Sequence, residues 1–291
     1  MIKRALVLAG GGSKGAWQLG VLSVLMGTQA RDYEIMTGVS VGALNVAGLS
    51  QTPYGKPKES IEWLTKLWLD NVETKHIYKR WFPFGRVHAL WLTSVYDSSP
   101  LHDLVHGSLD QNKTRMCGRQ IAVGAVCLDT GEHRYAREDD PKFADWVLAS
   151  SSFPVFLKPV EIEGKLWSDG GIKTVTPLGQ AIRMGADEID VLVTSNVWHE
   201  EKWTSTTHAA VPDQVIRALG LMNDKVMQDD IELTGLKNDL ASVDDKYKKV
   251  KIRVVMPSEP LIANSLDFNK ADMRRMLEIG QRDAAHFVTY E

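Results

Sequence analysis

The sequence Gly38-Val39-Ser40-Val41-Gly42 lies between a segment with the composition of a short strand, 33–37, and a segment of small and apolar residues, 41–49. The second segment has the composition of a buried helix. Glycine on both sides of Ser40 allows a sharp backbone turn without a Cβ clash. The pattern therefore predicts a strand-to-helix elbow that presents the Ser40 hydroxyl as a nucleophile at the positive end of a helix.

A glycine-rich turn near the start of the chain supports this interpretation. The apolar segment 5–9 is followed by Gly10, Gly11 and Gly12, and then by a predicted helix. Backbone N–H groups of consecutive glycines can point to one place and stabilise negative charge as it develops. Beside an activated serine they would form an oxyanion hole, in which each donor contributes about 3–4 kcal/mol to transition-state stabilisation.

The same turn allows other interpretations. Gly10, Gly12 and Gly15 match the G-x-G-x-x-G pattern of dinucleotide-binding sites. A Rossmann fold, however, places an acidic residue at the end of its second strand, whereas the nearest acidic residues here precede that strand. A phosphate-binding P-loop is excluded because Lys14 precedes Gly15 and no Gly-Lys-Ser/Thr follows. Dinucleotide binding and a plain tight turn stay open as alternatives.

A third segment, 166–172, places a carboxylate at the end of a predicted strand. It reads Leu-Trp-Ser-Asp-Gly-Gly-Ile and follows a predicted hairpin, 160–165, with Gly164 at its turn. An Asp-Gly-Gly sequence alone is commonly a turn. At a strand end followed by flexible glycines, however, Asp169 can also be presented to a cleft.

Together these three segments resemble the patatin-like phospholipase family. Its pattern is a glycine-rich N-terminal loop, a G-x-S-x-G elbow and a distant Asp-Gly-Gly or Asp-Gly-Ala. Residues 148–156 and 181–193 are also similar to the family, and the resemblance extends from residue 1 to about 196 before it becomes looser. Lys14 occupies a position where members often carry Arg, and Thr176-Pro177 stands where an Asn-x-Pro segment is common.

The resemblance implies a three-layer α/β fold, with a mainly parallel central sheet and helices on both faces. It also implies a Ser–Asp dyad in which Ser40 is the nucleophile and Asp169 the base, without a metal or cofactor. A carboxylate of ordinary pKa is a poor base for a hydroxyl, so we expect burial to raise the pKa of Asp169. The remaining site glycines and one lysine are assigned by the same resemblance. The oxyanion donors are Gly10, Gly11 and Gly12, the elbow glycines are Gly38 and Gly42, and the supporting residues are Lys14, Gly15, Gly170 and Gly171.

An α/β-hydrolase with a Ser-His-Asp triad is the competing interpretation. Its elbow follows the fifth strand of the sheet, whereas only one or two strands can precede Ser40. It also needs a histidine late in the chain, for which His199, His208 and His286 are the candidates. None has a distinctive setting, and we expect His199 to lie in a polar loop after a strand.

Composition favours one enzyme domain over residues 1–291. The chain is long enough, at 44% hydrophobic residues, to bury the core of a single α/β sheet. A net charge of −3 without a dominant basic face argues against nucleic-acid binding. Two cysteines are too few for a disulfide framework and fit a reducing compartment. Because no apolar run is long enough for a signal peptide or a membrane span, we expect a cytoplasmic protein.

Predicted strands and helices alternate along the chain, which favours a mainly parallel sheet covered on both faces. The expected strands are 3–9, 33–37, 119–128, 189–195 and 249–255. The expected helices are 14–26, 41–50, 58–71, 141–150, 176–184, 212–240 and 269–286.

Residues 52–110 are the least sheet-like part of the chain and are predicted to insert between core strands. They contain four tryptophans and a run, 75–86, that mixes cations with aromatic rings. That mixture suits an anionic lipid surface, where rings lie at headgroup depth. A cap whose aromatic side chains pack inward around an acyl chain is the alternative, and the two roles are compatible.

The combined expectation is a serine lipid acyl hydrolase of the phospholipase A or lysophospholipase type, acting through an acyl-Ser40 intermediate. Its substrate would be a phospholipid or another acyl-ester lipid. Peripheral association with the inner face of the membrane would involve residues 75–86. A carboxylesterase for soluble esters and a catalytically silent lipid- or partner-binding scaffold are the alternatives. The intact Ser40, Asp169 and glycine turn argue against the scaffold.

Overall fold

The computed structural model describes residues 2–80, 93–196, 211–241, 244, 248–262 and 264–290. Within them the chain forms one sheet of nine strands with helices on both faces. The strands are β1 (Arg4–Leu8), β2 (Ile35–Val39), β3 (Gln120–Cys127), β4 (His133–Arg137), β5 (Val160–Ile162), β6 (Lys165–Asp169), β7 (Glu188–Leu192), β8 (Lys251–Val255) and β9 (Val288–Tyr290). The helices are α1 (Gly15–Leu22), α2 (Val41–Leu49), α3 (Pro57–Asn71), α4 (Thr74–Ile77), α5 (Ser99–Ser108), α6 (Gln111–Met116), α7 (Phe143–Ser150), α8 (Leu178–Arg183), α9 (Val211–Leu240) and α10 (Lys270–Asp283).

Five central strands are parallel, in the spatial order β3-β2-β1-β7-β8. Strands β1 and β2 pair from Ala5 opposite Ile35 to Leu8 opposite Gly38. Both are apolar and almost wholly buried, as expected for parallel strands covered on two faces. Antiparallel pairs complete the sheet: β4 and β6 pair with β3, β5 with β6, and β9 with β8.

Two apolar layers cover the sheet. One contains side chains of α1, α2, α7 and α10, and the other contains those of α8 and α9. Helices α1 and α10 cross at backbone contact, because a Cβ at Gly20 would overlap the carbonyl of Leu277 and one at Gly280 would overlap that of Trp17. The predicted three-layer α/β fold with a mainly parallel sheet is confirmed.

A buried ionic cluster joins the middle of the sheet to the segment before β2. Asp190 on β7 is 1% exposed. Its carboxylate accepts hydrogen bonds from Arg31 Nε at 2.6 Å, from Arg253 Nε and Nη2 at 2.7 Å, and from the Tyr33 hydroxyl at 2.7 Å. Burial, together with the charge of Asp190, raises the pKa of Tyr33 well above its usual range. Both oxygens of Asp190 are therefore paired.

The five predicted strands and seven predicted helices are all present, with ends shifted by a few residues. The first helix is α-helical only to Leu22 and continues as a π-helix over Ser23–Thr28. The predicted hairpin is confirmed as β5 and β6. Strands β4 and β9 and helices α4, α5 and α6 were not predicted. Strand β4 pairs with β3 and β9 pairs with β8, in both cases on the side away from the parallel core. In such positions polar residues face solvent, so the alternation of apolar residues in the sequence is weak.

Residues 52–110 lie between α2 and β3 in the chain. Their described part holds α3, α4 and α5, and its β-pairing is limited to an isolated bridge between Lys79 and Asp97. Of the predicted lipid-facing run, only residues 75–80 lie within the described part of the chain. Trp81 and Trp91 lie outside it.

Candidate active site

Ser40 lies at the turn between β2 and α2 and has an unusual backbone conformation. Its φ is 57° and its ψ is −128°, a region that non-glycine residues rarely adopt. A Cβ at Gly38 would overlap the carbonyl of Gly42, and one at Gly42 would overlap that of Leu8. The turn itself therefore requires glycine at position 38, and its packing against β1 requires glycine at position 42.

Strand β3 brings Asp169 to the same place. Its Gly124 pairs with Val39, the residue before Ser40, and its next residue, Ala125, pairs with Asp169 at the end of β6. On β3, the pairing with β6 therefore starts one residue beyond the last residue that pairs with β2. The elbow at Ser40 and the carboxylate of Asp169 are thus positioned by adjacent residues of β3.

Three consecutive serines at the end of α7 hold the backbone of both residues. The N–H of Ser40 donates to Ser150 Oγ at 3.0 Å, and Ser151 Oγ donates to the carbonyl of Ser40 at 3.2 Å. The carbonyl of Ser152 accepts from the N–H of Asp169 at 3.1 Å. These bonds support the strained elbow and fix it relative to the carboxylate.

The carboxyl group of Asp169 is buried, and only one of its oxygens has a hydrogen-bond partner. The residue is 3% exposed. Oδ1 accepts from the N–H of Gly171 at 2.7 Å, whereas Oδ2 is unpartnered within the described residues. Burial raises the pKa of Asp169 to about 7, against the smaller opposite effects of the Ser40 hydroxyl and the Gly171 N–H.

The Ser40 hydroxyl is thus close enough to lower the pKa of Asp169 but is not aligned as a hydrogen-bond donor to it. Such bonds between a nucleophile and its base are often long until a substrate is bound.

The glycine-rich turn lies against the elbow. A Cβ at Gly10 would lie 3.1 Å from Ser40 Cβ. Gly12 has φ 58°, and a Cβ there would overlap the carbonyl of Ser265. The turn is also held by Thr194 Oγ1, which donates to the carbonyl of Gly10, and by the N–H of Ser13, which donates to Ser265. Only glycine fits this conformation at position 12.

The three predicted oxyanion donors are not equivalent. The N–H of Gly10 donates to the carbonyl of Val175 at 3.2 Å and is not free for a substrate. Within the described part of the chain, the N–H groups of Gly11 and Gly12 make no hydrogen bond. Gly10 therefore serves as a close contact to Ser40, and only Gly11 and Gly12 have donors to offer.

The predicted supporting residues surround these groups. Gly15 begins α1, where a Cβ would overlap Val41, and Gly170 lies against the carbonyl of Gly124. Gly171 supplies the hydrogen bond to Asp169. Lys14 is half-buried at the edge of the glycine turn and has no ion-pair partner among the described residues.

These groups line a cleft with about 890 Å³ of empty space, including the part open to solvent. Most of its lining near Ser40 and Asp169 is apolar. The side chains of this apolar wall are Val41, Leu44, Ile77, Leu101, Phe153, Leu157, Leu266 and Phe268. The rest of the lining is mixed: Lys14, Thr194, Asn223 and Asp224 are polar or charged, whereas Ile216 and Met227 of α9 are apolar.

Histidine is not among the described residues that line this cavity. His286 is exposed beyond α10, and His199 and His208 lie outside the described residues. His133 on β4 is half-buried and does not line the cavity, and burial, with the nearby Lys173 and Arg183, lowers its pKa to about 4. Among the described residues, a Ser-His-Asp triad therefore has no histidine at this cavity.

Three further observations concern metal binding, membrane spans and the cysteines. The described residues contain no group of three or more His, Cys, Asp or Glu side chains placed to hold a metal ion. Across the same ranges, no helix is long and apolar enough to cross a membrane. Cys117 and Cys127 are buried free thiols.

Sequence reasoning missed several residues that shape this site. The serines 150–152 were part of the family-like segment, but their hydrogen bonds to Ser40 and Asp169 were not predicted. Thr194, Val175 and Ser265 hold the glycine turn from distant parts of the chain. No local pattern marks such residues, because their role depends on the register of strands far apart in sequence.

The three-layer α/β fold and the glycine-flanked strand-to-helix elbow agree with the family that the sequence resembles. A family model described as patatin-like phospholipase matches residues 6–182, more than half of the chain. The protein belongs to the patatin-like phospholipase family and is a hydrolase that acts on carboxylic ester bonds of lipids.

Two individual proteins are similar to this chain. The uncharacterized protein YjjU of Escherichia coli (strain K12) is 24% identical over 300 residues, covering 98% of this chain and 76% of that protein. Among solved structures, VipD from Legionella pneumophila aligns with a TM-score of 0.45 and 15% identity, covering 100% of this chain and 68% of that one.

Proposed function

We propose that the protein hydrolyses acyl esters of phospholipids with Ser40 as nucleophile and Asp169 as general base. One observation carries this proposal: β3 pairs with the residue before Ser40 and with Asp169 at adjacent positions. This register brings the unpartnered oxygen of a buried carboxylate to the nucleophile elbow. A carboxylate with a pKa of about 7 is a much stronger base than an ordinary one.

In the first half of the reaction, Ser40 Oγ attacks the ester carbonyl carbon while its proton passes to Asp169 Oδ2. The carbonyl oxygen becomes an oxyanion that accepts hydrogen bonds from the N–H groups of Gly11 and Gly12. The tetrahedral intermediate collapses to acyl-Ser40, and Asp169 returns the proton to the departing alcohol, here a lysophospholipid.

In the second half, a water molecule takes the place of the alcohol. Asp169 accepts a proton from the water as its oxygen attacks the acyl carbon, and the same glycine donors hold the new oxyanion. Collapse releases the fatty acid, and the proton on Asp169 returns to Ser40 Oγ. Atoms and charge balance without a second base.

The lining of the cavity supports a lipid substrate over a small soluble ester. We infer that the acyl chain lies along the apolar wall, where each buried methylene contributes about 0.8 kcal/mol. The glycerol and headgroup would lie toward Lys14, whose ammonium suits a phosphate. Residues 52–110 would then act as a cap within one domain spanning 1–291, since α4 and α5 contribute Ile77 and Leu101 to the apolar wall.

We also infer peripheral membrane association through residues 75–86. In the described part of this run, Arg80 is exposed and has no ion-pair partner, whereas Lys79 pairs with Asp97 at 3.3 Å. Arg80→Glu is therefore the cleaner test, because reversing Lys79 would also break a contact within the fold. We expect Arg80→Glu to weaken sedimentation with anionic vesicles by several-fold. Unchanged binding would exclude this surface.

The proposal is tested by fatty-acid release from mixed phospholipid vesicles. Ser40→Ala and Asp169→Asn should abolish release, while His199→Ala, His208→Ala and His286→Ala should leave it unchanged. Cleavage of a soluble nitrophenyl ester through Ser40 without any release from vesicles would identify a carboxylesterase instead. No turnover of either substrate, together with no labelling of Ser40 by a fluorophosphonate probe, would identify a silent scaffold.

A further inference from the structure

A second cavity adjoins the one that contains Ser40. It lies between α2, α3 and α5 and has about 490 Å³ of empty space, including the part open to solvent. The two cavities share Leu44, Ile77 and Phe268 as lining residues. These three side chains therefore form the boundary between the reactive serine's cavity and the second cavity, and this boundary is named the passage.

The second cavity is almost entirely apolar. Of the described side chains that line it, Ser108 carries the only hydroxyl, and the others are aliphatic or aromatic apart from Gly48. The one polar atom of Trp68 is used elsewhere, because its Nε1–H donates to Asn45 Oδ1 at 2.9 Å. A cavity with such a lining holds hydrocarbon in preference to water.

Helix α2 gives the distance between the nucleophile and this cavity. Ser40 precedes the helix, Leu44 lies one turn along it in the shared passage, and Gly48 lies one turn further in the second cavity. At 1.5 Å per residue, Gly48 is about 12 Å along the axis from Ser40. An extended chain advances roughly 1.2 Å per bond, so about ten chain atoms span that distance.

We propose that the second cavity binds the distal part of the substrate's acyl chain and sets the enzyme's preference for chain length. Chains of up to about eight carbons would contact only the reactive cavity and the passage. Chains of twelve or more would enter between α3 and α5, in contact with Leu64, Leu104 and Leu109. The expected effect on ester cleavage rests on the proposed function, whereas the expected effect on fatty-acid binding does not.

The structure favours an acyl chain over other occupants because the second cavity adjoins the cavity of Ser40 across apolar side chains alone. A headgroup would leave its charges without partners there, at a large desolvation penalty. A packing defect is the remaining interpretation, and it predicts no effect of the cavity on any ligand.

The kinetic test uses nitrophenyl esters of four, eight, twelve and sixteen carbons in detergent micelles. For the wild type, kcat/KM should rise by up to about fourfold per methylene between eight and twelve carbons. Ser108→Phe places a ring in the cavity and should lower the ratio of twelve-carbon to four-carbon kcat/KM at least tenfold. Leu104→Ala enlarges the cavity and should move the optimum toward longer chains.

His102→Phe is the matched control. It places the same ring on the exposed side of α5, outside the cavity. The chain-length profile of this variant should match that of the wild type. An equal loss for all four esters in Ser108→Phe, or no change of the profile in either cavity variant, would overturn the inference.

A binding measurement separates this inference from the proposed reaction. Calorimetry of the full chain should detect laurate binding that is at least tenfold weaker in Ser108→Phe, whether or not any ester is cleaved. Laurate affinity unaffected by the added ring would refute the cavity as the chain site even if hydrolysis through Ser40 is established. Absence of hydrolysis with the expected loss of laurate affinity would refute only the proposed reaction.

Discussion

Asp169 and Asp190 are both buried in the sheet, yet their surroundings are opposite. Asp190 is paired on both oxygens with two arginines and a tyrosine. Asp169 accepts one backbone N–H, and its other oxygen has no hydrogen-bond partner among the described residues. Full pairing compensates the desolvation of the first carboxylate, whereas the second remains desolvated and its pKa rises to about 7. The proposed reaction needs a carboxylate of the second kind, because only a desolvated and unpaired oxygen can accept the serine proton.

The largest expected effect is a difference in activity between substitutions of Asp169 and of Asp190. Asp169→Asn and Ser40→Ala should each lower kcat for a phospholipid or nitrophenyl ester by at least about 10³-fold, because base and nucleophile act as a unit. Asp190→Asn, assayed at a temperature where it remains folded, should retain kcat within a few-fold. A comparable loss of kcat in Asp190→Asn would remove the distinction between them.

The second effect separates them by stability. Asp190→Asn leaves Arg31 and Arg253 with an uncharged partner and should lower the free energy of unfolding by about 3–5 kcal/mol. Urea denaturation followed by circular dichroism measures this change. An unfolding free energy within 1 kcal/mol of the wild type, a threshold of about the size of an average substitution, would show that the cluster is not stabilising.

Asp169 should have the opposite effect on stability. Its pKa is about 7 in the folded protein and about 4 when unfolded, so the folded state binds the proton more tightly. Stability contributed by this group is complete below about pH 4 and is lost as the pH rises to about 7, by roughly 4 kcal/mol in all.

Asp169→Asn should therefore remove that pH dependence and be more stable than the wild type above pH 7. Asp230 is the necessary control, because burial raises its pKa to about 7 as well, and its Oδ2 accepts the Thr176 N–H at 3.3 Å. Asp230→Asn should remove its own part of the pH dependence and no more. Parallel stability curves for wild type and Asp169→Asn would contradict the assignment.

A smaller effect tests the proposed oxyanion donors of the glycine turn beside Ser40. Gly12→Ala would force the carbonyl of Ser265 and the glycine turn apart and should lower kcat by about 10²-fold. Gly55→Ala is a matched control, since Gly55 also has positive φ, at 89°, but a Cβ there meets no atom within 4 Å. Equal activity of the two variants would argue against a role for Gly12.

The sequence predicted the parts of the site better than their arrangement. The elbow at Ser40 and the strand end at Asp169 carry local signals, namely flanking glycines and a change from apolar to flexible residues. The pairing of Asp190 carries no such signal, because its partners come from segments on either side that meet only through strand register. The hydrogen bond from the Gly10 N–H to the carbonyl of Val175 likewise joins segments that are far apart in the sequence, so no local pattern predicts it.

The polar strand β4 was missed for a related reason. Its residues His133–Arg137 lack an apolar alternation, because the strand pairs at the side of β3 away from the parallel core. The buried strands β1 and β2 were predicted because both faces are covered and their sequences are continuously apolar. Burial on both faces therefore gives the central strands a clear apolar pattern, whereas the strands outside the parallel core have a weak one.

The most direct test of the central claim is the pH dependence of kcat/KM for a soluble ester, measured for the wild type and for Asp230→Asn. If Asp169 is the general base, kcat/KM rises with pH to a plateau with an apparent pKa of about 7, and Asp230→Asn keeps that value. A rate that is constant from pH 5 to pH 8, or an inflection that disappears with Asp230→Asn, would contradict the account.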